Sequence, residues 1–163
     1  YLRFGREKTP VLTTERTLFL PGGAEIFWSP SVTASGRQSK PSVLIIACGT
    51  LVYNALLAAR ELENEGIDTI VLNNHSIKPI NEEAIIIIAK KCGAVVTVEE
   101  HQIAGGLGGA VAEVLAKKFP VPIEFVGMED TFGESGVSGD LIKKYGMDAE
   151  DIKAAVKKVL KRK

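Results

Sequence analysis

From residue 42 onward the chain alternates between short, continuous apolar runs and longer stretches in which apolar residues recur every three or four positions. Val43-Leu44-Ile45-Ile46-Ala47 has no polar alternation and is rich in β-branched residues, which predicts a strand buried on both faces and ended by Gly49. Ile67 to Leu72, Ala94 to Val98 and Pro122 to Val126 predict three more strands. The stretches between them predict helices. In the first, Leu51, Ala55, Ala58, Ala59 and Leu62 share one face, with Thr50 as the expected cap and Gly66 as the stop. Pro79 and Asn81 announce the next, Glu82 and Glu83 suit its dipole, and Cys92-Gly93 ends it. Gly105 to Lys118 follows, and Ser138 to Tyr145 and Asp148 to about Leu160 close the chain. In the last helix Ile152, Ala155, Val156, Val159 and Leu160 form an apolar stripe, while Lys153, Lys157, Lys158 and Lys161 take the solvent side.

Strands alternating with helices imply βαβ crossovers and a parallel sheet covered on both faces. Before residue 42 the period disappears. Residues 9 to 23, with Pro10, Thr13, Thr14, Pro21, Gly22 and Gly23, predict an extended connector, and Ser31 to Pro41 a loop. Ala24 to Trp28 is a strand with no helix after it, the expected antiparallel partner at one edge. Tyr1-Leu2-Arg3-Phe4 opens in mid-strand style without a methionine, as expected of a piece of something larger.

The 163 residues make about one domain, and 45% apolar with 25% charged residues suits a packed core. Twenty basic residues balance twenty acidic ones, which argues against nucleic acid or a membrane surface as partner. No apolar run is long enough to span a bilayer. Cys48 and Cys92 form no CxxC pair and fit a reducing compartment, so the expected location is cytoplasmic.

Glu99-Glu100-His101-Gln102-Ile103-Ala104-Gly105-Gly106-Leu107-Gly108-Gly109 follows a strand and opens a helix, where backbone N–H groups can hold an anion. Its glycines do not spell GxGxxG, and they equally serve a tight turn and close packing at the helix start. His101, beside Glu99 and Glu100, is a candidate for an acid/base couple or half a metal site, or a structural or interface histidine paired with a carboxylate. His101, Gly105, Gly106 and Gly108 are therefore a candidate anion or regulatory site. Arg6, with Arg3 and Lys8 nearby, offers paired donors to a phosphate or is a solvated charge cluster. The loop Met128 to Gly136 reads as a capping loop with Phe132 packed down. No Ser-His-Asp, GxSxG or CxxC nucleophile arrangement is present, so an independent hydrolase has no support.

These blocks, in order and spacing, resemble transketolase. Leu2-Arg3-Phe4-Gly5-Arg6-Glu7 with Thr9-Pro10, Gly23-Ala24-Glu25 and Val43 to Gly49 are similar to the junction and C-terminal domain of that family. Ser76-Ile77-Lys78-Pro79-Ile80 resembles its IKP segment, Thr97 to His101 with Gly105 to Gly108 its TVE-x-H…GG-x-G block, and Asp130 to Gly136 with Leu141…Tyr145-Gly146 its FG-x-SG…L…YG close.

The resemblance implies a three-layer α/β/α domain with a five-stranded, mostly parallel sheet and one antiparallel strand. It implies that residues 1 to 12 end the preceding pyrimidine-binding domain, 13 to 41 form a linker, and 42 to 163 form the C-terminal domain. The complete enzyme of the pentose phosphate pathway would use thiamine diphosphate and Mg²⁺ to move a two-carbon ketol unit between sugar phosphates. Neither the family's activating glutamate nor its GDG…N motif is matched here, so the chain alone is expected to bind no cofactor and to be inactive. An N-terminal section and homodimer contacts are the implied partners. Arg6, with Arg3 as neighbour, matches the arginine that grips the substrate phosphate. The alternatives are the same domain of 1-deoxyxylulose-5-phosphate synthase or of a 2-oxo acid dehydrogenase beta chain, and a free-standing anion-binding regulatory domain.

Overall fold

Val43–Ala47, here β2, is the middle strand of the sheet, and every one of its residues is buried. Side chains alternate across a strand, so Val43, Ile45 and Ala47 enter one core while Leu44 and Ile46 enter another on the opposite face. The computed structural model describes residues 1–2, 5, 7–30 and 40–163. Arg3, Arg6 and most of the 31–41 loop lie outside the described residues.

The other elements are β1 (Glu25–Trp28), a 3₁₀ turn (Gly49–Leu51), α1 (Val52–Asn64), β3 (Thr69–Asn73), α2 (Glu82–Cys92), β4 (Val95–Gln102), α3 (Leu107–Lys118), β5 (Ile123–Met128), α4 (Ser138–Lys144) and α5 (Ala149–Leu160). The sheet order is β1-β3-β2-β4-β5, with β1 antiparallel to β3 and the remaining pairs parallel. The expected five-stranded α/β fold with one antiparallel edge strand is what the chain forms. The chain steps one way from β2 to β3 and the other way from β3 to β4. Crossovers of one hand then put the intervening helices on opposite faces. Accordingly α1, joined by α5, covers the Val43 face, and α2 and α3 cover the Leu44 face.

Local chemistry sets the helix ends. Asn81 accepts from the Ala84 amide to start α2, and Gly93, at φ 74°, ends it. Asp148 and Asp151 form a reciprocal capping box on α5. Thr50, expected to cap the first helix, does not: the 3₁₀ turn intervenes, and its hydroxyl donates to Glu100 Oε2 at 2.6 Å. The last residues close the amino edge of the sheet. Lys163 Nζ donates to the Cys92 carbonyl at 2.7 Å, and Arg162 pairs with Glu124 and donates to the Ile123 carbonyl at 2.9 Å. The carboxyl edge is left for function.

Ile152 is fully buried between α5 and the sheet. Ile152→Ala is expected to lower stability by about 3 kcal/mol in urea unfolding. A loss below about 1 kcal/mol would contradict its place in the core.

Candidate functional site at the carboxyl edge

In an open α/β sheet, ligands use the crevice at the carboxyl ends of strands where the strand order reverses. That point lies between β2 and β4, where Cys48, Gly49 and Thr50 face Glu99, Glu100 and His101. Strand parity decides what stands there. Glu99 has the same parity as Val95 and Thr97 and points to the α3 side, whereas Glu100 points across to Thr50.

Glu99 is 1% exposed, and its two carboxylate oxygens accept from the Leu107 and Gly108 amides, each at 2.7 Å. A carboxylate on the first N–H groups of a helix satisfies orphan donors and meets the positive end of the dipole. The anion expected at this glycine block is thus supplied by the chain itself, and an external anion would have to displace it. The glycines make room for it. A Cβ on Gly106 would collide with Glu99 Oε2, and one on Gly108 would lie 2.8 Å from the Phe125 ring and 2.9 Å from Thr97 Oγ1. Gly105, at φ 80°, turns the chain into α3.

His101 stands at the rim with 64% of its side chain exposed, its Nδ1 2.9 Å from the Gln102 carbonyl and 4.0 Å from Glu99. A carbonyl can only accept, so Nδ1 carries the proton in this contact. Gln102 Nε2 donates to the Thr131 carbonyl at 2.7 Å, tying the end of β4 to the loop after β5. In that loop Phe132, expected to pack down, is 99% exposed. Among the described residues, no group of three or more His, Cys, Asp or Glu side chains is placed to hold a metal, and no helix is long and apolar enough to cross a membrane.

Above this edge passes the N-terminal segment. Residues 9–13 and Phe19 enclose, with Gly49, Val52 and His75, a cavity of about 670 Å³. Sequence reasoning did not single out His75, whose partners are 55 residues away along the chain. Cys48, at the end of β2, has its thiol pushed from the ordinary 9.0 up to about 11 by burial and by the Glu99 charge. Burial likewise raises Cys92 to about 11.

The transketolase C-terminal domain family matches residues 33–152, and the chain belongs to it. Over all 163 residues it is 48% identical to the 6-deoxy-6-sulfo-D-fructose transketolase subunit of Clostridium sp. (strain MSTE9), covering 48% of that protein. An apulose-4-phosphate transketolase subunit of Phocaeicola vulgatus is 43% identical over 108 residues, 66% of this chain and 34% of its own length. A solved split-gene transketolase, described as an inactive β4 tetramer, matches 96% of this chain and 48% of its own with a TM-score of 0.85 and 41% identity. The chain thus spans half or less of the length of these relatives.

Two outcomes follow from the edge geometry. Glu99→Gln retains one acceptor but sets an NH₂ group against an amide donor, and is expected to cost about 2 kcal/mol in urea unfolding. Both cysteine pKa values are raised on folding, so their contribution is present below the unfolded value of 9.0 and is lost as pH rises through about 11. The urea midpoint is therefore expected to fall across that window, and to fall less in a Cys48→Ala/Cys92→Ala double variant.

Proposed function

We propose that this chain is the C-terminal section of a split transketolase. It pairs with an N-terminal section to move a two-carbon ketol unit between sugar phosphates. The observation that supports this most is the match of the whole chain, at 48% identity, to a transketolase subunit. The likeness to a split-gene transketolase whose tetramer is described as inactive supports a need for a partner, and extends to self-association of this chain.

Thiamine diphosphate, with Mg²⁺, supplies the carbanion chemistry when bound in such enzymes. The described residues do not fit it: the α3 amides hold Glu99, and no cluster of metal-ligating side chains is present among them. The cofactor site is accordingly assigned to the remainder of the assembly. What this chain contributes is a scaffold whose binding edge is internally satisfied and, on residues 1 to 12, a phosphate clamp. Arg6 is the proposed clamp and Arg3 the neighbouring alternative, because a guanidinium offers paired donors to phosphate and stays charged at any working pH. The exposed Tyr1, Leu2 and Val11 support assigning residues 1 to 12 to a preceding pyrimidine-binding unit, since bare apolar side chains in one short segment suit an interface.

Mixing this chain with the N-terminal section, thiamine diphosphate and Mg²⁺ is expected to give ketol transfer from xylulose 5-phosphate to ribose 5-phosphate that neither piece shows alone. Arg6→Ala is expected to raise KM for the sugar phosphates at least about tenfold, the loss of charged hydrogen bonds, with a smaller effect on kcat. A complex that ignores sugar phosphates as donors and takes pyruvate would replace this reading with the synthase or dehydrogenase one.

A further inference from the structure

Resting on the reading above, we propose that His75 is a positioning residue. With Phe19 and Ser76 it latches residues 19–23 onto the carboxyl edge, and so fixes the path of residues 7–13, which lead back to Arg6.

The latch is built from both sides. His75 Nε2 donates to the Leu20 carbonyl at 2.9 Å, and the Phe19 ring lies on the imidazole with centroids 4.5 Å apart. The Gly22 amide donates to Ser76 Oγ at 2.8 Å. On the sheet side, fully buried Asn74 donates its amide to the Ala47 carbonyl at 2.9 Å and its Nδ2 to the Ser76 carbonyl at 2.9 Å. The histidine and serine are thereby rooted in the end of β3. Close approach requires the two glycines: a Cβ on Gly23 would sit 2.8 Å from the Leu20 carbonyl and 3.2 Å from His75 Nε2, and one on Gly22 3.2 Å from Pro79. Because a carbonyl only accepts, Nε2 is the protonated ring nitrogen in this contact.

His75 and Phe19 also line the same cavity as residues 9–13, and Leu12 packs against the core. Residues 7–13 belong to no helix or strand, so their course over Gly49 and Thr50 depends on such anchors. A binding residue reached through such a stretch works well only if the stretch is held close to one geometry.

The test uses the assembled enzyme with His75→Ala and His75→Gln, each checked for an unchanged melting midpoint. His75→Ala is expected to raise KM for sugar phosphate about tenfold while kcat stays within about twofold. It is also expected to speed amide exchange across residues 19–23. His75→Gln keeps a donor and is expected to recover most of both effects. Faster exchange with an unchanged KM would overturn the positioning role, and unchanged exchange would overturn the latch. If wild-type complex shows no ketol transfer, the functional reading falls first and the positioning role falls with it.

Discussion

A buried carboxylate seated on two helix amides organises the carboxyl edge of this sheet. Glu99 is a costly residue to bury, and it is tolerated because both of its oxygens are satisfied and the α3 dipole favours its charge. Beside it Gly106 and Gly108 are held to small size, β4 continues past its apolar run, and Gln102 bonds to the loop after β5. Removing the carboxylate would leave two amide donors at the start of α3 without their acceptor.

That arrangement changes the meaning of a familiar location. The crevice at the strand-order reversal ordinarily receives a ligand, yet here its helix N-terminus is filled from within and Thr50 is bonded to Glu100 across the gap. The amino edge is closed by Lys163 and Arg162. Near the ends of β2 and β3 lie residues 9–13 and 19–23, the latter bonded to His75 and Ser76.

The elements with strong periodicity were legible in the sequence. The short β-branched runs at Val43–Ala47 and Val95–Val98, bounded by glycine, point to strands with two covered faces, and the stripe from Ile152 to Leu160 to an amphipathic helix. The rest depends on contacts distant in sequence. Thr50 looked like a cap because its partner, Glu100, lies 50 residues on. β4 runs to Gln102 because Gln102 pairs with Met128 of β5 beyond an irregularity after Val98, and apolar pattern says nothing of that. Phe132 was expected inside on its chemistry alone, whereas no element packs over it among the described residues. Glu99 was legible as the neighbour of His101 but not as the ligand of α3. Its parity with Val95 and Thr97, taken with the helix start a few residues later, was the available signal.

Self-occupancy of the α3 amides by Glu99 is read out by melting wild-type protein and Glu99→Ala across a range of inorganic phosphate. Ligand that binds only the folded state raises the midpoint in proportion to its occupancy. A flat wild-type series is expected, with a rising one for Glu99→Ala, where phosphate can take the vacated amides. A phosphate-dependent rise in the wild type, equal to or above that of the variant, would contradict it and return the glycine block to the role of an open binding site.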